Sequence, residues 1–373
     1  MGSLCNKQSQ TPLLNQSDLD ETYSISKISE KDFTLIKLIG KGTFGNVYLV
    51  RFKKNNKLYA MKVLLKSLIR EQNQENNTKS ERNLMVQINC PFVVNVKFAF
   101  QNDKNLYLVQ EFVQGGDLFF HLHTHPRFPN AKVKFYIIEL VLAIDLLHRN
   151  HMLYRDLKPE NILIGVDGHI KITDFGLSKI LSNFEKTYTI CGTVQYLAPE
   201  ILSGEGYNEA VDWWSLGCIM YEMLTSKFPF RFSKSGKLSL EVYKKAIRYP
   251  DYIEDNAKDL ISKLLENDPR KRLGNGEKGG EEVKKHPYFE GVNWDDAWNK
   301  KLEPPFKPKV ENETDIKYFE KTFTDQPIYN NNIDSLYNDE DIEENEENYK
   351  GFTYVSNSYK ELKSLVKNED LEN

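Results

Sequence analysis

The sequence predicts an α+β chain of two lobes: a small antiparallel-sheet lobe with one main helix, then a larger helical lobe, then a C-terminal extension. Three observations carry this. Short apolar runs of strand length, separated by turn residues, fill the stretch from Phe33 to Phe112. From Lys132 onward apolar residues recur at helical spacing. Beyond Phe289 the chain turns rich in Pro, Asn and acids, and the pattern of a packed lobe ends. With 373 residues, 40% apolar and 12% aromatic, the chain can bury two cores and is not a disordered protein overall.

In order along the chain, residues 1–32 are polar and aperiodic, and read as a flexible leader. FTLIKLIG, NVYLVRF and KLYAMKVLL form a meander whose bends are a glycine-rich stretch and KKNNK. A helix is expected across roughly Thr78 to Ile88, then two strands, VVNVKFAF and NLYLVQEF, around QNDKN. Val133, Tyr136, Ile137, Leu140, Ile144 and Leu147 mark one helix face. AVDWWSLGCIMYEML, apolar almost all round, reads as a helix through the middle of the second lobe. PPFKP at Pro304 to Pro308 rules out regular structure there. The expected divisions are 1–32, 33–289 and 290–373.

Charge and cysteines narrow the function classes. The net charge of -4, with acids gathered in the run DEDIEENEE, argues against nucleic acid as a partner. Cys5, Cys90, Cys191 and Cys218 have neither paired nor metal-type spacing, which points to reduced thiols and a cytoplasmic location. The longest apolar run, FYIIELVLAIDLL, is broken by Glu139 and Asp145 and is too short to span a bilayer. His121, His123 and His125 lack a converging Cys or acid, so surface histidines are expected rather than a metal site.

GKGTFGNV has the form GxGxxGxV between two strands, comprising Gly40, Lys41, Gly42, Thr43, Phe44, Gly45 and, at its end, Val47. Glycines let backbone N–H groups approach phosphate oxygens. Alone, the pattern fits a glycine-rich hairpin equally well. YAMK sharpens it, because Lys62 is placed to reach phosphates and a buried lysine needs a counter-ion, which Glu81 can supply.

YRDLKPEN (Tyr154 to Asn161), DFG (Asp174 to Gly176) and APE (Ala198 to Glu200) follow, and with them the sequence resembles the eukaryotic protein kinases in block order from Gly40 to Arg272. The resemblance implies the bilobal protein kinase fold, with ATP and Mg²⁺ as cofactors. It implies that Asp156 accepts or orients the proton of the attacking hydroxyl, that Lys158 steadies the transferring phosphoryl group, and that Asn161 and Asp174 hold Mg²⁺. Lys62, oriented by Glu81, would anchor the α and β phosphates, while Ala60, Glu111 and Val113 line the nucleotide site. Phe175 is expected to pack, Glu200 and Arg272 to form a buried ion pair, and Asp212 to cap backbone around the catalytic loop.

Lys158 within DLKPEN, and Thr193, resemble serine/threonine rather than tyrosine kinases. CGTVQYLAPE, AVDWWSLG and PPFKPKV are similar to the AGC group, the serum- and glucocorticoid-regulated and Akt-type kinases above all, without room for a PH domain in the leader. IKYFEKTF then resembles the segment that crosses the nucleotide cleft, with Phe319 against adenine. NYKGFTY resembles the group's hydrophobic motif, with Tyr349, Phe352, Thr353 and Tyr354 in place. Tyr349 and Phe352 would dock between the Glu81 helix and adjoining strands, marginally enough for phosphate on Thr353 to tip the balance. The turn site usual between these segments is not evident, Ser335 being followed by Leu336.

For substrates, the resemblance implies that Asp117, Glu160 and Glu222 receive basic residues ahead of the accepting Ser/Thr, each as a charge-assisted pair; solvated surface acids are the alternative. Ile190, Val194 and Leu197 would seat the residue after the acceptor. Thr189 aligns with the activation-loop threonine, its phosphate facing Arg155 and Lys179 and implying an upstream kinase. A monomer is expected. Val194, Gln195, Gln110 and Asn77 depart from the usual residues and leave distal specificity, inhibitor fit and loop-to-helix coupling open. MGSLCNK resembles a myristoylation signal at Gly2 with Cys5 for palmitate, which would add membrane association; MGS equally fits a cloning remnant.

Overall fold

The first lobe is built on β1 (Phe33–Gly42), β2 (Gly45–Phe52) and β3 (Leu58–Leu65), an antiparallel meander in which Val47 stands opposite Lys62. A computed structural model describes residues 28–42, 44–72, 74–125, 127–181, 185–230, 240–327, 349–356 and 359. The expected readings of Thr43, Gly2, Cys5 and Ser335 lie outside these residues. After β3 comes a short helix that the sequence reading missed, α1 (Lys66–Glu71), then α2 (Glu75–Gln87). The latter starts three residues before the expected Thr78, because Gln74 O accepts both the backbone N–H and the hydroxyl of Thr78 and so closes the first turn earlier. β4 (Val96–Gln101) and β5 (Asn105–Glu111) complete the lobe's own sheet. Side chains alternate across it. Leu64, Ala99, Leu106 and Leu108 belong to the core facing α1, whereas Val63, Phe98, Phe100, Tyr107 and Val109 belong to the core on the other face.

The second lobe opens with α3 (Leu118–Thr124), too short to show a period in sequence and capped by Asp117, whose Oδ1 accepts from Phe120 N at 2.7 Å. α4 (Asn130–Arg149) follows, then the paired β6 (Met152–Leu153), β7 (Ile162–Ile164), β8 (Ile170–Ile172) and β9 (Lys179–Ile180), joined β6 to β9 and β7 to β8. α5 (Pro199–Ser203), α6 (Ala210–Thr225), α7 (Asp255–Leu264), α8 (Gly280–Lys284) and α9 (Trp294–Trp298) make up the rest. All 16 residues of α6 are buried, as a composition apolar almost all round leads one to expect. Glu200 and Arg272 pair through two bonds, 2.5 and 2.9 Å, as expected, and the guanidinium also donates to Ala210 O and Glu266 O. No described helix is long and apolar enough to cross a membrane.

The extension climbs back across both lobes. Gln114 Nε2 donates to the carbonyls of Asn312 and Asp315, and Phe319 stacks on Phe112 with centroids 5.7 Å apart. His121 corrects the expectation of surface histidines. It is buried, its Nε2 2.7 Å from Gly115 O and its ring against Phe306 and Tyr318 of the extension, and burial holds its pKa down. Of His121, His123 and His125, the last two are exposed, and among the described residues no group of three or more His, Cys, Asp or Glu is placed to hold a metal. α10 (Lys321–Thr324) rests on β1, and β10 (Tyr354–Val355) pairs antiparallel with the free edge of β4, giving the sheet order β1-β2-β3-β5-β4-β10.

Candidate active site

The candidate residues of the two lobes meet where Lys62 of β3, which stands opposite Val47 of the β1–β2 hairpin, touches Asp174. The glycines of the hairpin have different reasons to be there. A Cβ on Gly45 would stand 1.8 Å from Val63 O, so the fold itself excludes a side chain. At Gly40 and Gly42 the nearest atoms would be 3.7 and 3.8 Å away, so nothing in the chain's own packing demands glycine. Bare backbone there suits a ligand that needs close N–H contact.

Lys62 projects from β3 and meets Glu81 of α2 at 2.8 Å and Asp174 at 3.0 Å. Burial alone would lower its pKa, but the charges of Asp174 and Glu81 outweigh it and the ammonium is held well above its ordinary value. Asp174 is held low, chiefly by the Lys62 charge, while burial pushes Glu81 up. Asp174 has φ 61°, a left-handed conformation, and its side chain is 48% exposed. A carboxylate kept ionised and open, beside a cation, is the donor set that a divalent ion and phosphates fit.

The loop below is fixed from the first turn of α6. Asp212 Oδ1 accepts from Arg155 N and Oδ2 from Tyr154 N, both at 2.9 Å, with His148 Nε2 2.8 Å from Oδ2. Asp212 thus caps the loop backbone as expected, and holds Arg155 at φ 72°. Asp156 stands in a closed constellation. Thr193 Oγ1 donates to its Oδ1 at 3.0 Å, Lys158 Nζ lies 2.9 Å from Oδ2, and Lys158 reaches Thr193 at 3.0 Å. Asn161 Nδ2 donates to Asp156 O and Oδ2, which fixes the amide beside the carboxylate. Phe175 is fully buried against the edge of Tyr154, a packing role, and the Tyr154 hydroxyl donates to Thr173 O.

At the hinge, the link between the lobes that runs from the end of β5 toward α3, Ala60 stands opposite Gln110 and Val113 is buried. Gln110 points inward, its amide 3.5 Å from Met85 Sδ. Glu111 has a partner that the sequence did not reveal: its Oε1 accepts from Lys171 Nζ at 2.8 Å and from Asn95 N and Nδ2. A hydrogen bond at sequence separation 60 leaves no local pattern to find.

The three expected substrate acids converge. The Glu160 charge acts on both Asp117 and Glu222. Burial, aided by Glu160, pushes Asp117 up to about 6 and Glu222 up to about 7, while Tyr196 donates to Glu222 Oε2 at 2.7 Å. Neither is a freely solvated surface acid, unlike exposed Glu160. Thr189 is exposed, and its carbonyl accepts from the Tyr207 hydroxyl at 2.5 Å. Arg155 donates instead to Leu177 O, and Lys179 lies 3.6 Å from Glu185, so both basic side chains have other partners while Thr189 is unmodified. Of the expected apolar seat, Leu197 is buried, Val194 half-buried and Ile190 61% exposed. Asn77 falls within α2, its side chain outside the described residues.

Comparison with known proteins agrees with this geometry. The family described as "Protein kinase domain" matches residues 33–289. "Protein kinase 2" of Dictyostelium discoideum is 45% identical over 333 residues, 88% of this chain and 68% of that protein. "Serine/threonine-protein kinase gad8" of Schizosaccharomyces pombe is 44% identical over 295 residues, 79% of this chain. "Serine/threonine-protein kinase AtPK2/AtPK19" of Arabidopsis thaliana is 40% identical over 342 residues, 91% of this chain and 72% of that protein. The match spans only about half (52%) of the fission-yeast protein's length.

Proposed function

The chain belongs to the protein kinase family, among AGC-type serine/threonine kinases, and we propose that it transfers the γ-phosphoryl group of ATP to Ser or Thr in basic sequence contexts. The observation that carries this reading is the Asp156–Lys158–Thr193 constellation set beneath the Lys62–Glu81–Asp174 chain. Asp156, held by Thr193 and Asn161, is a positioned acceptor for the hydroxyl proton, worth about 10² to 10⁴-fold in such sites. Lys158 sits close enough to Asp156 to steady a phosphoryl oxygen beside it. Mg²⁺ bound by Asn161 and Asp174 would neutralise charge on the phosphate oxygens. Lys62 keeps its proton and therefore its charge toward the phosphates.

The basic context rests on Asp117, Glu160 and Glu222. Two of them are half-buried to buried carboxylates raised by burial and by Glu160, and an arginine entering among them relieves both costs. Regulation follows the same electrostatics. Phosphate on exposed Thr189 would draw Arg155 and Lys179 from their present partners and order the loop, and an upstream kinase would place it. Phosphate on exposed Thr353 would act on the tail in turn. Lipidation at Gly2 and Cys5, if both chains attach, would add a membrane anchor to a cytoplasmic enzyme.

Incubation with Mg²⁺-ATP and a peptide array tests the reading. Transfer to peptides with arginine ahead of Ser/Thr is expected, and Asp156→Asn should remove about 10³-fold of the rate. Absence of transfer after phosphorylation of Thr189 would overturn it.

A further inference from the structure

Seven described residues near the C-terminus, from Tyr349 through β10, do more than fill one pocket. Tyr349 and Phe352 are buried with Leu64, Leu106 and Leu108, on the face of the sheet that also carries Lys62. Neighbours in a strand point to opposite faces. At β10 the chain makes use of this: Tyr354 still packs with the first group, whereas Val355 is buried in the core of the other face. Tyr359 then lies on that other face, its ring 5.0 Å from Phe98 and 5.6 Å from Phe52. Between the two sets of rings the main chain is bonded to the β4 edge, Ser356 N to Lys97 O at 2.9 Å, and Gln101 Nε2 donates to Tyr349 O at 3.0 Å. Thr353 stands exposed, outside all of these contacts.

We propose that Tyr359 is a second anchor of the tail, beyond the hydrophobic motif, so that the tail straddles the β4 edge and stays docked while Thr353 carries no phosphate. Its role is positioning. By holding β10 in register it keeps Phe352 against the α2 side, where Arg82 of that helix lies 5.8 Å from the Phe352 ring centroid, and thereby steadies Glu81 beside Lys62. Phosphate on Thr353 then acts on a tail already seated. This rests on the reading of the chain as a kinase only for its consequence in catalysis, not for the docking itself.

Hydrogen exchange of the Ser356 amide, followed in the full chain without nucleotide, separates the two. In Thr353→Ala this amide is expected to keep its parent protection. Adding Tyr359→Ala should speed its exchange by about tenfold, and Tyr359→Phe in its place should restore it. In the kinase assay Tyr359→Ala should raise the KM for ATP more than it lowers kcat, with Tyr359→Phe again restoring the parent values. Exchange in Thr353→Ala as fast as in Phe352→Ala would overturn the proposal, as would unchanged exchange in Tyr359→Ala. If the exchange pattern holds and no peptide is phosphorylated, the anchor stands and the catalytic reading falls.

Discussion

Tyr196 donates its hydroxyl to Glu222 at 2.7 Å, inside a site where burial pushes Glu222 up to about 7 and Asp117 up to about 6. On the proposed reading, a cationic peptide side chain would bind the ionised forms. The KM for an arginine-containing peptide is therefore expected to fall as pH rises from about 6 to about 8, by roughly tenfold. Glu222→Gln should raise KM and flatten the upper part of this profile, and Tyr196→Phe, which removes a bond that lowers the Glu222 value, should shift it to higher pH. A flat KM over that range counts against the acid cluster as the basic-residue site. For the empty enzyme the sign reverses: a carboxyl raised from 4.5 to about 7 contributes stability below the lower value, lost as pH rises through the upper one.

Lys171 of β8, two and three residues ahead of Thr173 and Asp174, is tied to hinge Glu111 at 2.8 Å. Both side chains are mostly buried, 15% and 27% exposed. Lys171→Met leaves Glu111 with Asn95 alone and frees the hinge strand to shift. The expected outcome is a KM for ATP raised about three- to tenfold with kcat changed less, and Lys171→Arg should recover part of it. Equal loss in kcat and kcat/KM would place Lys171 in the chemical step instead.

Arg272 is wholly buried, bidentate to Glu200 and bonded to two carbonyls. Arg272→Met strands Glu200 and both carbonyls, a cost of about 3 to 5 kcal/mol. Thermal unfolding should begin about 10 °C lower. Arg272→Lys should not restore it, because a single ammonium cannot reproduce the planar fork. A thermal shift below about 2 °C would show the pair to be dispensable.

The Tyr349 hydroxyl is buried and finds no hydrogen-bond partner among the described residues. Tyr349→Phe removes that unmet cost, and should tighten tail docking by about 1 kcal/mol, read as slower exchange along β10. Phe352→Ala should loosen docking by about 3 kcal/mol and lower activity several-fold, while the melting of the two lobes stays near the parent value. Equal activity of Phe352→Ala and parent would argue against docking as a support of α2.

Much of this protein is determined locally and is readable from the sequence by itself. Chemistry gathered in a loop of eight residues, Tyr154 to Asn161, survives as a linear motif because Asp156, Lys158 and Asn161 sit within one short backbone segment, even though Asp212 and Thr193 hold it from outside. Strands β1 to β5 announce themselves by apolar runs between turn residues, and α6 by composition, since an element buried on every side can carry few polar residues. What only the tertiary structure decided is each partnership between distant segments. α1 and α3 are too short for a period, so neighbours, not propensity, make them helical. His121 became a core residue because the extension folds over it with Phe306 and Tyr318. Lys171 found Glu111, Tyr196 found Glu222, and Val355 found Phe98, through packing that no window of sequence contains. The tail is the clearest case: its aromatic residues identify a ligand for the small lobe, but only the open edge of β4 decides that it binds as a sixth strand and grips both faces.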